Sequence, residues 1–133
     1  MLGGGTPVGG GSPASTGSNL NYLGQHVYAN SGNIDIDQND TTMLAFTSGA
    51  GYIVAKIQIN NASGSSDDIK YTIKFNSEVI SQFYYSGAGN QNEPFNPIFV
   101  IIPAETKVVI SGENEQTTSP RSHTANITGR VYY

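Results

Sequence analysis

Short stretches of strict apolar–polar alternation, broken at close intervals by Gly, Asn, Asp, Ser or Pro, limit what this chain can fold into. In Ile69–Asn76, Ile69, Tyr71, Ile73 and Phe75 alternate with Lys70, Thr72, Lys74 and Asn76. Successive side chains of a strand point to opposite faces, so this stretch reads as a half-buried strand. The same period recurs at Ile53, Ala55, Ile57 and Ile59, at Ile34 and Ile36, and at Ala125, Ile127 and Val131. No stretch carries the 3.6-residue period of an amphipathic helix, and 67–86 is rich in β-branched and aromatic residues that favour strands.

Three runs are less cleanly sided: Met43–Thr47, Ile98–Ile102 between Pro97 and Pro103, and Val108–Ile110. Runs apolar on both faces predict cover on both sides, by a sheet partner within and a loop or neighbouring subunit without. Eight strands follow, over about 25–37 (kinked at Gly32), 41–48, 52–60, 69–76, 78–85, 97–102, 106–112 and 123–132. Eight short strands in a single domain spanning 20–133 predict an all-β antiparallel sandwich. The eight-stranded jelly roll fits, with a seven-stranded immunoglobulin-like sandwich as the runner-up.

The segment before this domain differs in kind. Seven of the chain's 16 glycines lie between Gly3 and Gly17, and no Asp, Glu, Lys or Arg precedes Asp35. Residues 1–19 have no apolar run to build a core, a signal peptide or a membrane span. They read either as a flexible leader or as an extended arm held in a groove of a neighbouring subunit, with Leu2 and Val8 as its apolar contacts. An uncharged arm is not one that binds nucleic acid, and four lysines and two arginines make no basic footprint elsewhere.

Little in the sequence points to catalysis. With no cysteine there is no disulfide, no thiolate nucleophile and no cysteine-ligated zinc. His26 and His123 lie in the first and last strands, which a jelly roll pairs, so the two approach each other in that fold. No residue pattern supplies a nucleophile and acid to join them. GGGTPVGGG lacks the strand, lysine and helix of a phosphate loop. No cofactor or resident metal is expected. Asp35, Asp37 and Asp40, in NIDIDQND, form a candidate cation site with oxygen ligands, and a solvated strand face explains them equally. Three glycosylation-type triplets begin at Asn39, Asn61 and Asn126, in a chain where asparagine is common.

Tyrosine is the more telling residue, at eight against six lysines and arginines together. Tyr84-Tyr85 and Tyr132-Tyr133 present one ring to each face of a strand, and an outward tyrosine gives large contact area at low entropic cost. These four, with Phe95, are the candidate interface residues, and Phe99 is a candidate for contact or core. The polar connections 86–96 and 112–122 are candidate contact loops.

The passages GYIVAKIQINN, PIFVIIPAETKVVISGEN and HTANITGRVYY, behind a glycine-rich leader, resemble single jelly-roll capsid proteins of icosahedral viruses. More narrowly, they resemble the vertex (penton) or minor capsid proteins of large double-stranded DNA viruses. The resemblance implies a structural virion protein, not an enzyme, placed in the capsid. Its partners would be itself, as a pentamer, and other capsid proteins, without direct nucleic-acid contact or a transmembrane segment. Two other function classes fit the same residues: an extracellular adhesion or carbohydrate-binding β-sandwich module, and a jelly-roll subunit of a cellular assembly.

Overall fold

The structure, a computed structural model, describes residues 20–61, 68–85, 97–114 and 121–133, without the side chains of 61, 85 and 121. Its strands are β1 (Asn21–Leu23), β2 (His26–Asn30), β3 (Ile34–Ile36), β4 (Thr41–Thr47), β5 (Tyr52–Asn61), β6 (Ile69–Phe75), β7 (Glu78–Tyr85), β8 (Ile98–Ile102), β9 (Lys107–Asn114) and β10 (Arg121–Tyr132). They form two antiparallel sheets packed as a sandwich. One runs β1-β2-β10-β5-β8, with β3 also on β10, and the other runs β4-β9-β6-β7. The expected all-β sandwich is therefore present, as sheets of six and four strands.

Alternation sets which side chains meet between the sheets. Ile53, Ala55, Ile57 and Ile59 of β5, Ala125, Ile127 and Val131 of β10, and Ile69, Tyr71 and Ile73 of β6 are all buried. Burying one such aliphatic side chain contributes about 1.5–3 kcal/mol. The two sheets are also joined by a polar contact inside this core: the Tyr71 hydroxyl lies 2.9 Å from His123 Nδ1.

The expected first strand is divided at the predicted place. Gly32 has φ of +70°, and β2 and β3 pair with successive parts of β10. Ser31 bridges the break: its N–H donates to Ala125 C=O, and its Oγ accepts from Ala125 N–H, each at 2.8 Å. The additional strand β1 arises from a two-residue turn, with Leu23 opposite His26 and Gly24 at φ of +60°. Gly24 is the permissive residue such a turn requires.

Of the runs without clean sidedness, Met43-Leu44 is a β-bulge. The register passes from Ile110 opposite Leu44 to Ser111 opposite Thr42, leaving Met43 unmatched, and both Met43 and Leu44 turn inward. The Ile98–Ile102 run differs from expectation. Ile102 is buried, yet Phe99 is 74% and Ile101 63% exposed, so the chain's described residues leave the outer side of β8 open.

Candidate functional site

The outer face of the six-stranded sheet carries the densest set of exposed apolar side chains. Its geometry follows from register. Val54 on β5 lies between Ile101 on β8 and Arg130 on β10, and Arg130 lies opposite His26 on β2. One pleat along, Lys56 lies between Phe99 and Thr128, with Tyr28 beyond. Tyr52 and Tyr132, directly opposite each other, stack with ring centroids 5.3 Å apart. Four strands that are distant in sequence thus build one corner.

Phe99, Ile101, Val54, Tyr52 and Tyr132 are all at least 40% exposed there. Between the rows lies an open depression of about 390 Å³, lined by His26, Val54, Lys56, Phe99, Thr128 and Arg130 above Ala55 and Gly129. Gly129 fits because β5 comes close: a Cβ there would sit 2.6 Å from Val54 C=O.

The charge of this corner is one-sided. Among the described residues, Lys56 and Arg130 line the depression and no carboxylate does. One Arg130 N–H donates to the Gln25 side-chain oxygen, and the guanidinium sits 5.8 Å from the centre of the Tyr132 ring. Beside the corner, the Tyr22 phenol has its pKa raised from the ordinary value. Burial is the main cause, a hydrogen bond with the Gly49 backbone opposes it, and Tyr133 and Glu105 add to it.

A second exposed group lies on the outer side of the four-stranded sheet. Val79, Ile80 and Tyr84 of β7 are 50%, 44% and 64% exposed. Around Val79 lies a smaller depression of about 240 Å³, lined by Asp40, Lys70, Lys74, Gln82 and Glu113. Lys70 pairs with Glu113 at 3.4 Å, and Gln82 Nε2 donates to Thr72 Oγ1 at 3.1 Å.

The expected site residues are distributed as follows. Tyr132 belongs to the cationic corner and Tyr84 to the β7 face, and Tyr133, just beyond β10, is exposed. Tyr85 ends β7, and its side chain, like Leu2, Val8 and Phe95, lies outside the described residues. Asp35 is exposed on β3 opposite Ser122, the Asp37 carboxylate accepts from Asn39 N–H at 2.8 Å, and Asp40 faces the β7 depression. Among the described residues, no three His, Cys, Asp or Glu side chains are grouped so as to hold a metal ion.

The expected approach of the two histidines does not occur. His26 is exposed opposite Arg130, whereas His123 is buried opposite Ile34. Seven residues of β10 separate the two positions, about 23 Å of strand. The first and last strands do pair, but along their length rather than at one point.

Val54, Lys56, Ile101 and Arg130 were not among the residues singled out from sequence. The available signal was the Ile98–Ile102 run, which asked for an outside cover that the described residues do not supply.

No protein-family model matches the chain, and no curated protein matches it significantly. Three solved structures resemble it at low identity. A family 35 carbohydrate binding module from Clostridium thermocellum is 13% identical, covering 92% of this chain and 84% of that one, with a TM-score of 0.37. A beta-glucosidase from Paenibacillus barengoltzii is 9% identical over 75% of this chain, with a TM-score of 0.34. Dimeric latent PorU from Porphyromonas gingivalis is 8% identical over 86%, with a TM-score of 0.30. The chain spans only 10% and 11% of the last two. At these TM-scores the likenesses carry no argument about function.

Proposed function

We propose that this chain is a non-catalytic β-sandwich module that works by contact, through the cationic apolar corner of its six-stranded sheet. The carrying observation is that corner itself: Phe99 and Ile101 on an edge strand, Val54, Tyr52 and Tyr132 beside them, and Lys56 and Arg130 between. Side chains of this size gain nothing from water, and a partner surface that covers them gains roughly 25 cal/mol for each Å² of apolar area removed from it. The separation of His26 from His123 fits the non-catalytic reading.

Two specific forms have support. An adhesion or carbohydrate-binding module is favoured by the depression, which places the Phe99 ring beside the donors Lys56 and Arg130 and the Thr128 hydroxyl. A binding site of this kind combines an apolar wall with a few polar groups that fix orientation. A structural subunit, of the vertex or minor capsid type, is favoured by the strand order. With β2 and β3 counted as one strand and β1 set apart, eight strands remain. They pair first with last, second with seventh, third with sixth and fourth with fifth: β2/β3 with β10, β4 with β9, β5 with β8 and β6 with β7. That order supports reading the sandwich as a jelly roll, the fold obtained by rolling up one long hairpin.

One comparison tests the contact reading. The chain and its Phe99→Glu/Ile101→Glu variant are measured for self-association by sedimentation and for binding to an immobilised glycan panel. The variant is expected to lose one of these activities while keeping the wild-type circular dichroism. A variant equal to wild type in both assays overturns the reading.

A further inference from the structure

The outer face of the six-stranded sheet continues past the depression in cross-strand rows. Val54 lies beside Arg130 and His26, Lys56 beside Thr128 and Tyr28, and Gln58 beside Asn126 and Asn30. No Asp or Glu stands in any of these three rows. The two cations are at the corner end, and the far row consists of amides alone.

We propose that this face binds an acidic glycan, an oligosaccharide whose sugar rings bear carboxylates. The carboxylate meets Arg130 and Lys56, the apolar side of the ring lies on Phe99, and neighbouring hydroxyls reach the amide row. The inference rests on the carbohydrate-binding form of the contact reading and names its ligand class. Three arguments carry it.

The first is charge. Arg130 is held in advance: one N–H donates to the Gln25 side-chain oxygen, and the guanidinium sits 5.8 Å from the centre of the Tyr132 ring. Gln25 is fixed in turn, its C=O accepting from Val131 N–H at 2.8 Å. A guanidinium has several N–H donors in a planar fork, so donors remain for the two oxygens of a carboxylate, and little freedom is lost on binding. Lys56 is diagonal to Arg130 across the β5–β10 pair, roughly 7–8 Å away between backbones, so both cations can serve one anion. The whole chain has a net charge of -4. That repels a dense polyanion such as nucleic acid and admits a ligand with spaced single charges.

The second is the kind of polar group offered. β5 is paired with β8 and β10, and β10 with β2 and β5, so their main-chain N–H and C=O groups are engaged in ladders. A peptide read through its backbone finds no partner strand here. What the face presents is side-chain amides and hydroxyls, which both donate and accept, as sugar hydroxyls do. The third is shape. Phe99, opposite Lys56 and 74% exposed, gives an apolar wall beside these polar groups, the combination that marks a small-ligand site. From position 54 to position 58 the rows span about 13 Å, which suits several linked sugars rather than one.

Calorimetric titration of the full chain tests the ligand class. The probes are oligosaccharides of galacturonate, of mannuronate and of glucuronate, the methyl ester of each, a sulfated neutral oligosaccharide and a glutamate decapeptide. At least one uronate should bind ten times more tightly than its methyl ester, and added salt should weaken that binding. Arg130→Gln and Lys56→Gln should each remove most of the preference for the acid. Phe99→Ala and Gln58→Ala/Asn126→Ala should weaken acid and ester alike. Circular dichroism checks that each variant folds, and all but Gln58 and Asn126 are exposed positions.

Equal binding of acid and ester overturns the acidic ligand while leaving a carbohydrate-binding module. Tighter binding of the sulfated sugar or of the peptide than of every uronate overturns the ligand class. A chain that binds no glycan overturns the inference outright, and the contact reading then stands or falls on self-association of wild type against Phe99→Glu/Ile101→Glu. Uronate binding left intact by Arg130→Gln and Lys56→Gln moves the site off this face and overturns the assignment.

Discussion

Ser48 shows how one small side chain fastens a fold that has few charged residues. It is buried at the end of β4, beside the turn joining β8 to β9. Its Oγ donates to Pro103 C=O at 2.7 Å and accepts from Thr106 N–H at 2.9 Å. Alanine would remove both bonds and strand the Thr106 N–H in a site closed to water. A buried donor left without an acceptor costs about 1–3 kcal/mol. Ser48→Ala is therefore expected to lower unfolding free energy by that amount, measured as a shift of the urea midpoint with the slope unchanged. Tyr22 makes a residue-scale prediction of a different kind. Its folded pKa is raised, so its stabilising contribution is whole below the unfolded value near 10 and is lost as pH rises through the folded value. The melting temperature should fall above about pH 10, and Tyr22→Phe should flatten part of that fall. An unchanged pH profile in the Phe variant would show that the phenol does not contribute.

Among the elements, the β6–β7 hairpin is the clearest case of local sequence and local geometry in partial conflict. Phe75 faces Glu78, leaving a two-residue turn of Asn76 and Ser77 with φ of 50° and 71°. Positive φ at both positions is the turn that suits the twist of two strands, and it favours Asn followed by Gly. Asn76 fits it and adds a bond, its Oδ1 accepting from Lys107 N–H at 2.9 Å. Ser77 meets the steric cost that a Cβ brings in this region, about 1 kcal/mol. Ser77→Gly is expected to stabilise the protein by about 0.5–1 kcal/mol in thermal or chemical unfolding. A destabilised variant would place the turn in another conformation. Such elements also show how much of the fold was legible. The alternation at Ile69–Phe75 and Ile53–Ile59 placed strands and their buried faces, because burial of a strand face follows from a local period of two. The bulge at Met43 and the bridge at Ser31 were not legible, because each depends on a partner strand distant in sequence. The corner was legible only in part: Tyr132 stood out by type, whereas Val54 and Ile101 joined it through the order β10-β5-β8.

At the scale of the whole molecule, the same side chain has opposite value in two places. Ile127 lies in the middle of β10, which is paired with β2 on one side and β5 on the other, and it is fully buried between the sheets. Ile101 lies on β8, an edge strand of the same sheet, and is 63% exposed. Truncating Ile127 removes three carbons from a close-packed interior that cannot collapse around the loss, since both neighbouring strands are fixed by their own ladders. Ile127→Ala is expected to cost about 2–5 kcal/mol. Truncating Ile101 removes surface that water already reaches, and the expected cost is below about 1 kcal/mol. Self-association should show the reverse order, with Ile101→Ala weakening it and Ile127→Ala leaving it unaltered in the fraction that remains folded. Urea unfolding and sedimentation of the two variants together read both quantities. Equal stability losses at both sites would mean that the outer side of β8 is covered within one chain, and the contact surface would have to be sought elsewhere. If the orders are opposed as expected, the residues that hold the sandwich together and those that meet its neighbour are two separate sets within one sheet.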